Sequence, residues 1–235
     1  MVIALLTAAG IGSRMGQDIP KQFIHVDNKP LIVYTMEAFQ RHPSIDAIIC
    51  VTLPNWMDVV RAYAMQYRIT KLKWIVPGGA TGQESIFNGL TRIREEFPDE
   101  DVTMMIHDGN RCLVSSEIIS NSLAVYKNHG SAVAAIPCVE AVFTSEDGGF
   151  SSDVSIPRET LYRTQTPHTY DLSKLLWAHA QAKEKGITNT AATCTLMQAL
   201  GERVYFSRGS EKNLKITTVD DLTMFTAFLH ADKKV

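Results

Sequence analysis

A glycine-rich stretch with an arginine inside it and a lysine just beyond it holds the most chemistry in this sequence. It reads Leu6-Thr-Ala-Ala-Gly10-Ile-Gly12-Ser-Arg14-Met-Gly16, followed by Pro20-Lys21-Gln22. The apolar run before it, Val2–Leu6, reads as a buried strand. A glycine-rich turn after such a strand exposes successive backbone N–H groups, which suits triphosphate oxygens. The small residues Ala8, Ala9 and Gly10 let a nucleotide come close to the backbone. Arg14 and Lys21 add two fixed positive charges. Three familiar readings compete for this loop. A P-loop needs a closing Gly-Lys-Ser/Thr, which is absent. A dinucleotide fingerprint needs its third glycine one residue earlier and an acidic residue ending a second strand. A plain strand-to-helix turn explains the glycines but not the arginine and the Pro-Lys-Gln together.

Ala8-Ala-Gly-x-Gly-x-Arg14-Met with Pro20-Lys-Gln resembles the signature of the cytidylyltransferases that act on methylerythritol phosphate and ribitol phosphate. Further matches follow in order along nearly the whole chain. Gly78-Gly79…Ser85-x-x-x-Gly89-Leu90 resembles the family's second nucleotide loop. His107-Asp108-Gly-Asn-Arg111 resembles its His-Asp-Ala-x-Arg-Pro motif, and Arg158…Gln165-Thr166-Pro167 its arm motif. Asn213-Leu-Lys215-Ile-Thr217 resembles its C-terminal Asn-x-Lys-x-Thr, with Asp220-Asp221-Leu222 behind it.

The resemblance implies transfer of CMP from CTP to a small alditol phosphate, with release of pyrophosphate. The nucleophile is then a phosphate-monoester oxygen. Its second pKa of about 6 leaves it ionised at neutral pH, so no general base is required. The obstacle is repulsion between anions, and positive charge and positioning should supply most of the catalysis. The resemblance implies that Arg14, Lys21 and Lys215 converge on the phosphates. Arg14 can grip two oxygens, whereas lysines act as point charges. It assigns nucleotide contacts to Thr7, Ala8, Ala9, Gly10 and Gly12, and to Gly79, Ala80, Thr81, Gly82 and Ser85 of the second loop. Asp108, Gly109 and Arg111 join them near the ribose and phosphates. Arg158, Thr166 and Lys215 are implied on the acceptor side, and a Mg²⁺ ion bound mainly through the CTP phosphates is expected.

The departures bear on the acceptor. An arginine common in the second loop is replaced, with Gly82 at its position. Ala141 stands where the methylerythritol enzymes carry an arm threonine, and Thr188-Asn189-Thr190 where they carry Thr-Asp-Glu. Gly109-Asn110 and Cys112 replace Ala-x and Pro. The pattern is closer to the ribitol 5-phosphate enzymes, whose product CDP-ribitol serves teichoic acid or capsule synthesis. The methylerythritol 4-phosphate enzyme of isoprenoid synthesis is the alternative, with another alditol phosphate behind it. In this family the arm of one subunit commonly completes a neighbour's site, so a homodimer is implied.

The elements that must position these residues alternate as strands and crossover helices. Strands are expected at Val2–Leu6, Ala47–Leu53, Lys73–Val76, Val102–Ile106 and Ser131–Ile136. Helices are expected over Pro30–Arg41, from an Asn55 cap to Tyr67, after Gly79, from Ser115 or Ser116 to Asn128, and over Asp171–Lys185 and Ala191–Leu200. Val204–Phe206 and Leu214–Thr217 read as final strands, and Thr218-Val-Asp-Asp221 as a capping box opening a last helix. The stretch 138–169 is rich in Thr, Ser, Gly, Pro and charge and reads as a protruding β-arm, turning at Asp147-Gly148-Gly149. The fold expected is a single α/β, Rossmann-like nucleotidyltransferase domain: a mostly parallel sheet flanked by helices, with that arm.

With 235 residues, 45% apolar and 20% charged, the chain has the mix of an ordinary globular protein. Its net charge of −2 is unlike that of a nucleic-acid binder. Cys50, Cys112, Cys138 and Cys194 are scattered without metal-ligand spacing, and are read as reduced thiols of a cytoplasmic protein. No apolar run approaches membrane-spanning length, and the N-terminus lacks the positive region of a signal peptide. His25, His42, His129, His179 and His230 are read as surface or packing residues, and His107 as holding Asp108 or a loop carbonyl. Two other classes remain open: a nucleotide-binding regulator without catalysis, and an NAD-binding oxidoreductase.

Overall fold

The computed structural model describes residues 1–10 and 19–232. The chain runs β1 (Val2–Ala8), β2 (His25–Val26), β3 (Lys29–Pro30), α1 (Leu31–Arg41), β4 (Ala47–Thr52), α2 (Met57–Gln66), β5 (Leu72–Pro77), α3 (Gly82–Glu96) and β6 (Thr103–Asp108). It continues with α4 (Ser116–His129), β7 (Ser131–Pro137), β8 (Val142–Phe143), β9 (Ser155–Ile156), β10 (Tyr162–Asp171), α5 (Leu172–Glu184), α6 (Thr193–Ala199), β11 (Phe206–Arg208) and α7 (Val219–Asp232).

Seven strands form one sheet in the order β11-β7-β10-β6-β1-β4-β5. All neighbours are parallel except β10, which runs antiparallel to both β6 and β7. Helices cover both faces, so the inner strands are apolar on both sides. In β1, Ile3 and Leu5 point into one core, while Ala4, Leu6 and Ala8 point into the other. That is the period-2 alternation of a strand, used here to fill two cores at once. The first core packs α3, α5 and α6 residues such as Leu90, Leu175 and Met197; the second packs Met36, Phe39 and Ile119 of α1 and α4.

Several sequence expectations change at element ends. Pro30 sits at the N-cap of α1 in extended conformation, not in its first turn, because it still pairs in the β2–β3 hairpin. Asn55 caps nothing; Pro54–Trp56 form a turn of 3-10 helix that leads into α2. Ser115 does cap α4, its hydroxyl accepting from the Ile118 N–H at 3.3 Å, and Gly130 ends that helix at φ 75. Thr218 and Asp221 exchange backbone-to-side-chain bonds as a capping box at the start of α7.

The stretch read as an arm divides in two. Residues 138–161 carry the exposed β8–β9 hairpin, but Tyr162–Asp171 is a strand inside the central sheet. Its polar sequence hides this, because the side chains of Gln165, Thr166, His168 and Thr169 are buried and, in part, line the site described below. The four cysteines are free. Among the described residues, no helix is long and apolar enough to cross a membrane.

Candidate active site

From β1 the chain moves to β4 and β5 on one side of the sheet, then crosses back to form β6 on the other. The strand order therefore reverses between β1 and β6, the place where open α/β sheets leave a crevice at their carboxyl ends. Thr7 and Asp108 face each other across it in the β1–β6 register. A cleft of about 510 Å³ opens there, within the usual range for small-molecule sites.

The residues implied by resemblance are distributed plainly. Thr7, Ala9, Gly10, Lys21, Gly79, Ala80, Thr81, Gly82, Ser85, Asp108, Arg111, Thr166 and Lys215 all line the cleft. Ala8 and Gly109 are buried beneath it. A Cβ on Gly109 would lie 2.9 Å from the Thr7 carbonyl and 2.7 Å from Ile32 Cδ1, so this glycine serves close packing. Gly12 and Arg14 lie outside the described residues. Arg158 does not line the cleft of its own chain. It sits exposed in the arm, donating to the Val139 carbonyl at 3.0 Å and pairing with Glu159 at 3.6 Å.

Asp108 is the electrostatic centre. Its Oδ1 accepts from Lys215 Nζ at 2.9 Å and its Oδ2 from Arg111 Nε at 2.9 Å. Burial pushes this carboxyl up, but the two cations outweigh burial and hold it well below the usual carboxylate range. Arg111 also donates to the Asn213 carbonyl at 2.7 Å, and Asn213 Nδ2 to the Thr166 carbonyl at 2.8 Å. Asn110 and Ile216 exchange bonds, the Ile216 N–H donating at 3.0 Å and Asn110 Nδ2 donating to the Ile216 carbonyl. These bonds explain why Leu214–Thr217 is not the strand expected from sequence. Its backbone is tied to the 108–111 turn instead of to a sheet edge, and that places Lys215 on Asp108.

Beneath this cluster, His107 is fully buried. Its Nε2 lies 3.1 Å from the Arg111 carbonyl, which can only accept, so Nε2 carries the proton. Nδ1 then accepts from the Thr166 hydroxyl at 3.0 Å, and Thr166 Oγ1 accepts from the Asp108 N–H at 3.0 Å. Burial lowers the His107 pKa to about 4, which keeps the ring neutral as this relay requires. His107 thus shapes the turn carrying Asp108 and Arg111, as its sequence reading anticipated.

Two loops bound the other walls. Gln22, of the Pro-Lys-Gln motif, donates to the Ala8 and Gly10 carbonyls at 2.5 and 3.1 Å, fixing the exit from β1. The resemblance implies a nucleotide contact for Ser85. Its hydroxyl instead donates to the Thr81 carbonyl at 2.8 Å and accepts from the Gly79 N–H at 3.0 Å, so it shapes the loop first. Thr190, of the Thr188-Asn189-Thr190 segment, lines the opposite wall; sequence reasoning missed the rest of it: His168 on β10, His179 on α5, Ala191 and Ala192 before α6, and Thr193 at its start. Those residues form no motif in sequence and are assembled only by the packing of α5 and α6 on the sheet.

Among the described residues there is no group of three or more side chains suited to hold a metal. Asp108 is the one carboxylate in the described lining, and it is ionised. A Mg²⁺ there would be held chiefly by phosphate oxygens, since both oxygens of Asp108 already accept from Lys215 and Arg111.

A sheet reversing at β1 and β6, with glycine-edged loops and lysines around one cleft, defines an enzyme that handles nucleotide phosphates. Comparison with known proteins is specific. The family model described as 2-C-methyl-D-erythritol 4-phosphate cytidylyltransferase (IspD) matches residues 2–231. The chain belongs to that family, and is a CTP-dependent cytidylyltransferase. It is 38% identical over 231 residues to a ribitol-5-phosphate cytidylyltransferase of Lacticaseibacillus paracasei, covering 97% of this chain and 98% of the relative. A protein of the same name from Vibrio parahaemolyticus is 38% identical over 236 residues, covering 100% and 98%. Among solved structures, 4-diphosphocytidyl-2C-methyl-D-erythritol synthase from Anaerococcus prevotii superposes with a TM-score of 0.83 over 98% of this chain and 96% of its own, at 23% identity, a likeness of fold.

Proposed function

We propose that this chain transfers CMP from CTP to D-ribitol 5-phosphate, giving CDP-ribitol and pyrophosphate. The observation that carries the reaction is the meeting of Lys21, Lys215, Arg111 and Asp108 around one glycine-edged cleft. The acceptor reading is supported by the names of the two relatives above and by the departures from the methylerythritol pattern at Ala141, Gly109 and Thr188–Thr190. Because the family model carries the methylerythritol name, 2-C-methyl-D-erythritol 4-phosphate is the second acceptor to test.

In this reading a phosphate-monoester oxygen of the acceptor attacks the α-phosphorus of CTP. The new P–O bond forms as the bond from the α-phosphorus to the α,β-bridging oxygen breaks, and pyrophosphate leaves with that electron pair. The acceptor is already a dianion, so no protein base takes a proton. Lys215, half exposed and held on Asp108, can turn its ammonium toward the transferring group, while Lys21 faces the triphosphate from the β1 side. A Mg²⁺ on the phosphates, when bound, offsets negative charge there. Arg14 is read as a further phosphate ligand.

The exposed arm, with Phe143, Phe150 and Val154 each more than half exposed, supports a homodimer in which Arg158 serves the neighbour's acceptor phosphate. Product use in teichoic acid or capsule synthesis and a cytoplasmic location complete the reading. A coupled pyrophosphate assay across all four nucleoside triphosphates and a panel of alditol phosphates tests it. CTP with ribitol 5-phosphate should give the highest kcat/KM; preference for methylerythritol phosphate would move the enzyme to the second reading.

A further inference from the structure

Three neutral polar side chains line one wall of the cleft, which begins at His168, within electrostatic reach of Asp108, Arg111 and Lys215. His168, Thr193 and His179 are only 2%, 5% and 9% exposed, and all three line the cleft. Thr193 Oγ1 has no hydrogen-bond partner, and His168 Nδ1 has none of good geometry, though the Gln165 backbone lies near the His168 ring. The His179 ring lies 5.2 Å from that of Phe87, tilted at 34° to it. A buried polar atom without a partner is costly and uncommon, and such atoms gathered in one cavity call for a ligand that satisfies them. Burial lowers both histidines to about 4, so each ring is neutral, with one nitrogen that donates and one that accepts. A hydroxyl is the group that matches such partners, since it also donates and accepts. His179 and Thr193 have no cation or carboxylate beside them among the residues from Thr190 to Leu196 that line this wall, and Arg111 and Lys215 gather at the Asp108 end of the cleft instead.

The wall is built to stay in place. Gln83, in the first turn of α3, donates to the Ile187 carbonyl at 2.9 Å and accepts from the Thr190 N–H and hydroxyl at 3.1 Å each. One side chain thus pins the loop before α6 to the helix that begins at the second glycine loop. Thr193 follows that loop, and its neighbour Cys194 lies beside the Thr164 hydroxyl, two residues from Thr166. The wall therefore adjoins the part of β10 read as the acceptor side.

We propose that His168, His179 and Thr193 form a hydroxyl-recognition subsite that grips the polyol chain of the acceptor and selects it by its hydroxyls. This rests on the alditol phosphate reading above. Such a subsite contributes hydrogen bonds to the acceptor and none to CTP.

Steady-state kinetics on Thr193→Val and His179→Leu, with CTP and either ribitol 5-phosphate or the shorter glycerol 3-phosphate, test it. In each variant the KM for ribitol 5-phosphate should rise roughly tenfold, the scale of one lost hydrogen bond. The KM for CTP should stay within about twofold, and the preference for ribitol over glycerol phosphate should shrink by the same factor. The melting temperature of Thr193→Val should not fall, because the hydroxyl it removes is unpaired in the free protein. An unchanged acceptor KM in both variants, a rise confined to CTP, or a lower melting temperature of Thr193→Val with the preference intact would overturn the subsite alone. A wild-type enzyme that transfers CMP to no alditol phosphate would remove the reaction reading and the subsite together.

Discussion

At the scale of residues, the site consists of cations placed against one carboxylate. Lys215 and Asp108 are 107 positions apart, yet their head groups are 2.9 Å apart. If positive charge carries the transfer, Lys21→Ala and Lys215→Ala should each lower kcat by at least about a hundredfold, the scale of lost transition-state electrostatics. Single-turnover measurement with saturating CTP checks this; near-normal turnover in both would end the charge-based mechanism. Gly109 offers a second test. The motif it resembles has alanine here, but in this chain a Cβ would press on the Thr7 carbonyl at 2.9 Å. Gly109→Ala should destabilise the protein by about 1–3 kcal/mol through overpacking, read as a lower urea midpoint. The glycine-rich loop announced phosphate chemistry in the sequence itself. Lys215 was legible only through family resemblance, because no local pattern links it to Asp108. Gln22, Asn110 and Asn213, which hold the turns in place, gave no signal beyond lying within motifs.

At the scale of elements, strands and helices with strong apolar periodicity were legible, and their ends were not. The polar strand β10 reads as part of the arm because Thr, Gln and His do not alternate with apolar residues there. Its place between β6 and β7 comes from sheet pairing and from a face that lines the cleft. The loop before α6 is likewise decided by contact, through Gln83. Gln83→Ala should free it: amide exchange at Ile187–Thr190 should accelerate while exchange in β1 and β6 stays slow, as for a local opening. Hydrogen exchange with mass spectrometry reads this directly. Unchanged protection of the Thr190 amide would mean the loop is held by other contacts.

At the scale of the whole molecule, two properties follow. His107, His168 and His179 are all buried and neutral, with pKa values lowered to about 4. In the unfolded chain they titrate near 6.5. Between those values the unfolded chain takes up protons that the fold excludes, so stability is full above about pH 6.5 and declines as pH falls toward 4. Urea midpoints measured from pH 8 to 4.5 should be level and then drop; a midpoint level down to pH 4.5 would contradict neutral burial of these rings. The second property concerns the arm. If Arg158 serves a neighbour's site, mixing inactive Arg158→Ala and Lys215→Ala chains under exchange should restore activity. One site in each mixed dimer is then intact, giving about a quarter of wild-type turnover with random pairing in a two-fold dimer. Additive residual activity with no recovery would place Arg158 outside the partner's site.

The sequence alone defined the class of fold and pointed, through a glycine-rich loop and a family resemblance, to phosphate chemistry. Buried parallel strands leave a periodic apolar pattern, and phosphate loops demand small residues at fixed local spacing. What only the tertiary structure decided is which distant groups share the cleft. The Lys215–Asp108–Arg111 cluster, the neutral wall of His168, His179 and Thr193, and the polar strand within the sheet all arise from packing between segments remote in the chain. Such contacts are set by the closing of the sheet and its helices, and no local pattern of residues encodes them.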